Sequence, residues 1–312
     1  MRSDHVTLKT IAEAVGVSRT TVSNAYNRPD QLAPELRERI LAAAVELGYA
    51  GPDPAARRLR SGRNDTVGLL LAGGLAQAFE DPAAGLVLRG IARVVEAAGL
   101  ALLLVPDHGH GVRDAVVGAL AICSMPVGHP GVQAALARRI PLVVVDRPRL
   151  PGHAYVGVDE RDGARRAAEH LLALGHRRFA VVCDPDAHHE RLAGYRTALD
   201  AAGAGWARLK LPGALTADPR PTAILAASDQ LALGALDAAR AAGLRVPEDL
   251  SVVGFDDLPG AAGSLPALTT IRQPLLEKGE IAGRLLTAAP LDHAAILPVE
   301  LVVRGSTAPP PS

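Results

Sequence analysis

Apolar positions along the chain fall into three regimes. The first lies before residue 50. In LKTIAEAV, Leu8, Ile11, Ala12 and Val15 recur at helical spacing, with Thr7 just ahead of them. Gly16 breaks that stripe, and Ser18 stands where it can cap a second helix, RTTVSNAYN. Ala12, Gly16 and Val22 are spaced as two helices crossing at a short turn require. A third helix runs from about Pro34, a favoured first helical position, to Leu47, burying Leu36, Ile40, Ala43, Ala44 and Leu47. In the second regime, PDPAARRLRSGR from Pro52 to Arg63, periodicity fades and one leucine has no evident core to join. The third begins at Thr66, where continuous apolar strands alternate with helical patterns. TVGLLLA, LALLLV, LAICSM and PLVVVD form one series; FAVVCDP, WARLKL, TAILAAS and LSVVGFDD form another. Such strands predict parallel sheets covered on both faces. Two series in tandem predict two doubly wound lobes, with ligands at the carboxyl ends of the strands.

Two connections are short for that fold. PGALTADPRP alone separates WARLKL from TAILAA, whereas a parallel crossover needs about a dozen residues or more. PDHGHGVRDAVVGA leaves room for about two helical turns between LALLLV and LAICSM. The expectation is that the second lobe lacks an element and that a sheet face or edge is left exposed.

Composition changes the picture in one place. The chain has 312 residues, 48% of them hydrophobic, enough for two or three cored units. Formal net charge is zero, but residues 1–63 hold ten Lys+Arg against seven Asp+Glu, and 54–63 hold four arginines and no acid. The positive part is N-terminal. Cys123 and Cys183 end apolar runs and read as buried thiols. No run approaches the roughly 20 apolar residues of a membrane span, and MRSDHVTLKT lacks a signal-type apolar region, so a cytoplasmic protein with no membrane partner is expected. No phosphate-binding glycine motif follows a strand, and no GxSxG occurs. His108/His110 and His188/His189 have no carboxylate or thiol partner at metal spacing. No catalytic residue, metal or cofactor is expected, and Trp206 reads as a packing residue.

On the second helix, Arg19, Thr20, Ser23, Asn24 and Asn27 share a face opposite Val22, Ala25 and Tyr26. A solvated polar face is the bland alternative. This face is short-chained and free of acids, as suits a helix in a DNA major groove: Ser and Thr bond phosphates, while Arg and Asn make bidentate contacts to base edges.

VTLKTIAEAVGVSRTTVSNAYN, followed by LRERI and LGYAGPDPAARRL, resembles the lactose-repressor/galactose-repressor (LacI/GalR) family of bacterial transcription factors. LLALGHRRFAVV, ERLAGYRTAL, TAILAASDQLALGAL, LRVPEDLSVVGFDD, LTTIRQP and ELVVRGST resemble that family's effector domain, itself similar to periplasmic sugar-binding proteins. The likeness runs from about Val6 to Thr307. It implies an all-α helix-turn-helix DNA-binding domain at 1–50, a hinge with a short hinge helix at 51–63, and an α/β effector and dimerisation domain at 64–312. The two doubly wound, periplasmic-binding-protein-like lobes would span about 66–158 with 273–290, and 159–272 with 291–306. The chain would cross between them near Asp159, Arg272 and Pro290.

The resemblance also implies roles. Arg19, Thr20 and Asn24 would read bases; Thr7, Ser18, Thr21, Ser23 and Asn27 would hold phosphates. Gln31 and Leu36 depart from the family's basic or hydroxyl residues. In the hinge, Leu59 would wedge into the minor groove, with Ala56 and Arg57 beside it, and the arginines would neutralise phosphates; Asp53 replaces the family's usual Asn. Asp146, Arg191 and Asp256 would bind the effector, with Ser228 where the family usually has Asn. Asp229 reads as a helix N-cap and Asp257 as a turn residue. The implied protein is a homodimeric repressor of a pseudo-palindromic operator, controlled by a sugar-like or nucleoside-like effector. A regulator that has lost its effector response is the alternative. A sugar-binding enzyme or transport protein fits less well, for want of an acid/base or nucleophile set and of a signal peptide.

Overall fold

The computed structural model describes residues 6–51, 65–185, 188–211, 213–287 and 294–311. The chain divides into two compact units, Met1–Asn64 and Asp65–Ser312.

In the first unit, α1 (Leu8–Val15), α2 (Arg19–Asn27) and α3 (Pro34–Glu46) close over Ile11, Ala12, Val22, Ala25, Ile40 and Ala44. Thr7 caps α1 in a capping box: its hydroxyl accepts from the Thr10 amide, and the Thr10 side chain returns to the Thr7 amide. At the turn, Gly16 takes φ 75° and its N–H bonds the Ala12 carbonyl, a backbone that a Cβ would strain. Leu47 is not part of the core. The helix ends one residue earlier, at Glu46, and the left-handed turn at Gly48 leaves Leu47 exposed.

The second unit holds β1 (Thr66–Leu71), β2 (Ala101–Val105), β3 (Ala119–Cys123), β4 (Leu142–Val145) and β5 (Ala154–Val158) in its first lobe. Its second lobe holds β6 (Arg178–Val182), β7 (Gly205–Arg208), β8 (Ala223–Ala226), β9 (Ser251–Asp256) and β10 (Thr269–Arg272). Two short strands follow, β11 (Ala294–Leu297) and β12 (Glu300–Val302). The sheet orders are β11-β5-β4-β3-β1-β2 and β12-β10-β9-β8-β6-β7. Among the described residues all pairings are parallel except β10 with β12. Central strands are buried along their length, because helices cover both faces. No helix among the described residues is long and apolar enough to cross a membrane.

Two expectations need correcting. β11 joins the first lobe, with Ala294 beside Tyr155, so that lobe extends to Leu297. The third crossing therefore falls at Pro298–Val299, where proline ends one strand before the next begins; Pro290 lies outside the described residues. The element expected to be missing from the second lobe is shortened rather than lost. The β7–β8 connection keeps a one-turn helix, Gly213–Thr216, whose Ala214 and Leu215 are buried against the sheet. The edge strand β7 is largely exposed, as expected. Trp206 packs on the second-lobe core while its Nε1 donates to Asp200 (2.8 Å).

Candidate functional site

In the first unit the candidate face is that of α2. Ser18 caps the helix, accepting from the Thr21 amide at 3.0 Å, and its hydroxyl lies 2.8 Å from that of Thr21. Only one of those two hydroxyl protons is used between them, which leaves the other for an outside acceptor. Arg19 and Thr20 are exposed on the first turn, Asn24 is half-buried, and α2 contains no acid. Asn27 differs: its Nδ2 donates to the Ser23 carbonyl (2.8 Å) and hydroxyl (3.2 Å), so its donors are spent along the helix. Ala56, Arg57 and Leu59 lie outside the described residues.

Between the two lobes of the second unit lies a cleft of about 1310 Å³. Strand ends build its floor. Ser124, Asp146 and Asp256 follow or end β3, β4 and β9 with φ of 53°, 64° and 123°. These turns take the backbone out of the sheets where the polar side chains meet the cleft. Such φ values are uncommon outside glycine, and Asp is among the residues that tolerate the left-handed region best.

A chain of polar contacts runs along this floor. Lys278 Nζ, 1% exposed as a residue, donates to Asp146 Oδ1 (2.6 Å) and Gln273 Oε1 (2.6 Å). Gln273 Nε2 donates to Asp256 Oδ1 (2.6 Å), which Arg191 Nη1 also reaches at 3.3 Å. Arg191 Nε and Nη2 hold Glu160 Oε1 at 2.8 and 2.7 Å, Nη1 donates to the Ala227 carbonyl (2.5 Å), and the guanidinium lies over the Phe255 ring. Asp146 and Lys278 belong to the first lobe, Asp256 and Arg191 to the second, and Gln273 and Glu160 lie at the crossings between them.

Burial pushes the Asp256 carboxyl up to about 6, against the pull of Arg191, Gln273 and Lys278. Burial also works to lower Arg191, but Glu160 and Asp256 more than reverse it, so the guanidinium stays charged. For Glu160, burial works upward and Arg191 overcomes it, holding the carboxyl below its ordinary value. Burial, helped by Arg191, brings His188 down to about 4, leaving a neutral imidazole at pH 7. Its Nδ1 accepts from the Asp184 amide (3.3 Å), so its proton sits on Nε2.

The model of bacterial regulatory proteins of the lacI family matches residues 7–51, and that of the periplasmic binding protein-like domain matches 168–307. An HTH-type transcriptional regulator of Mycobacterium tuberculosis is 40% identical over 98% of this chain and 98% of its own. The chain belongs to the lacI family of bacterial regulatory proteins. It is also 36% identical to the regulator IpsA of Corynebacterium glutamicum, over 91% of each. The lac repressor dimer bound to operator and the anti-inducer ONPF superposes with TM-score 0.81 at 27% identity, covering 97% of this chain and 99% of that one. The CelR–cellobiose complex gives 0.68 at 30% identity, covering 96% and 99%. This lacI-family chain is a DNA-binding transcriptional regulator with a two-lobed, periplasmic-binding-like domain.

In this lacI-family fold Asp146, Arg191, Ser228 and Asp256 line one cleft. Arg191, 8% exposed, is held by Glu160, the Ala227 carbonyl and Asp256, so it organises the floor rather than standing free. Ser228 caps the Asp229–Ala241 helix by accepting from the Leu231 amide at 3.3 Å. Asp229, expected as that cap, is instead fully buried and holds the Leu258 amide (2.7 Å) and the Thr270 hydroxyl (2.5 Å). Asp257 sits in a turn at φ 56° and also binds Arg272 (2.7 Å) and Arg304 (2.6 Å). Sequence reasoning missed Lys278, Gln273 and Glu160. For Lys278 the signal was present: it falls on the buried stripe of the Leu275–Thr287 helix, with Leu275, Ala282 and Leu286. A charge on such a stripe needs a buried partner.

Proposed function

We propose that this regulator is a homodimeric repressor working in the bacterial cytoplasm. In each protomer α2 reads half of a pseudo-palindromic operator, through Arg19, Thr20 and Asn24 on bases and Thr7, Ser18, Thr21 and Ser23 on phosphates. A small polyhydroxyl effector, of sugar or nucleoside class, binds the cleft at Asp146, Ser228 and Asp256, with Arg191 fixing the floor, and changes the affinity for DNA. The observation that carries this is the continuous polar chain from Asp146 to Glu160: a ligand bonded to it touches both lobes, so its binding energy depends on how they are disposed. The cellobiose complex of CelR and the operator complex of the lac repressor dimer support the same reading. Leu59, with Ala56 and Arg57, supplies the minor-groove wedge.

Selection of bound DNA from a random pool tests the operator half of this. Inverted repeats are expected, and Arg19→Ala or Asn24→Ala should each cost about 1–3 kcal/mol and relax preference at one position per half-site. Loss spread evenly over all sequences would sink the base-reading assignment. A second reading, DNA binding without an effector, is favoured by the one-turn β7–β8 connection beside a largely exposed edge strand. It would stand if no sugar or nucleoside gave calorimetric heat with the full chain.

A further inference from the structure

The cleft's charges are spent unevenly. On the floor, Lys278 neutralises Asp146, and Arg191 is shared by Glu160 and Asp256. That floor sets three carboxylates against two cations, so it is rich in hydrogen-bond acceptors and has no cation to spare, which suits hydroxyl groups rather than an anion. The second-lobe wall is different. Arg208 ends β7, and Lys210 lies two residues beyond it. Both line the cleft. Neither has an ion pair or a side-chain hydrogen bond among the described residues. Their neighbours Leu209 and Leu211 line the cleft too and also pack on the second-lobe core. His188 lines the same cleft and adds a donor, since its Nδ1 accepts from the Asp184 amide and its Nε2–H has no partner among the described residues. The cleft, about 1310 Å³, has room for more than one sugar ring.

We infer that the effector is a polyhydroxyl compound carrying an anionic group, phosphate or carboxylate, which Arg208 and Lys210 hold on the second-lobe wall. This rests on the effector reading above. Glu80, Asp81, Asp184 and Arg147 also line the cleft, but among the described residues no carboxylate pairs with Arg208 or Lys210, so an anion that the ligand brings would satisfy both cations. The edge strand itself offers a competing reason for them, because lysine and arginine discourage pairing with a second sheet edge.

The test uses the full chain and inorganic phosphate, at constant ionic strength against chloride. Phosphate should raise the melting temperature and slow alkylation of Cys183, a half-buried thiol lining the cleft. Both effects should vanish in R208A/K210A, while R208K/K210R keeps them. The inference is overturned if phosphate does neither, if it acts equally on R208A/K210A, or if that variant only aggregates faster with its phosphate response intact. Glucose, glucose 6-phosphate and glucuronate, with the same series for mannose, galactose and ribose, then separate the anion's source. An anionic member should bind at least about tenfold tighter than its neutral parent, and R208A/K210A should remove that margin. A neutral parent binding as tightly overturns the inference. Failure of every sugar while phosphate still registers at Arg208 and Lys210 overturns the effector reading instead.

Discussion

The Asp229 carboxyl heads a helix yet turns inward, between the Leu258 amide and the Thr270 hydroxyl. Burial, opposed by those two bonds, pushes it up to about 7 from 3.8. The folded chain therefore keeps a proton that the unfolded chain releases near pH 4. This contribution to stability is full below about pH 4 and is lost as pH rises through about 7. One such proton gives a slope of up to about 1.4 kcal/mol per pH unit. Asn can make both bonds, accepting from Leu258 and donating to Thr270, without titrating. Asp229→Asn should thus flatten the fall in melting temperature between pH 4 and 7, leaving the share that belongs to Asp256. An unchanged slope would show that the carboxyl is ionised throughout. Nothing in SDQLAL distinguishes a capping Asp from a buried one; Gly254 decides it, since a Cβ there would run into the Asp229 carboxylate.

The floor of the cleft is positioned by one helix crossing. The Pro82–Ala97 and Leu275–Thr287 helices approach at Gly90 and Gly279, where an added Cβ would strike the backbone of the partner helix. Lys278 precedes Gly279, so this contact sets where its ammonium stands. Gly279→Ala should destabilise the effector unit by about 2 kcal/mol, through overpacking against rigid backbone. For a unit of this size that is a melting shift of about 4–8 °C in thermal denaturation. A neutral result would mean that the helices separate without penalty. Elements with strong local signals were legible: Thr7, Gly16 and Ser18 bound α1 and α2 through hydrogen bonds between near neighbours. β11 was not, because its four residues carry no pattern that tells which of two sheets they join.

Across the second unit, the lobes also touch at the cleft mouth. Gln230 Nε2 donates to the Glu80 carbonyl (3.3 Å), and Leu258 of the second lobe packs into the first-lobe core. If an effector and operator DNA favour different lobe arrangements, linkage requires their effects to be reciprocal. The factor by which the effector changes operator affinity should equal the factor by which operator changes effector affinity, with calorimetry of each ligand in the presence of the other as the measure. Unequal factors would exclude a single shared equilibrium. Periodicity, caps and motifs were enough for the family, the three-helix head, the parallel sheets and the strand-end acids, because each depends on residues close in sequence. They could not show that Lys278 neutralises Asp146, that Glu160 and Asp256 hold Arg191, or that Arg208 and Lys210 find no partner among the described residues. Those facts depend on which distant side chains meet in a low-dielectric interior, where a charge is defined by its partner rather than by its neighbours in the chain.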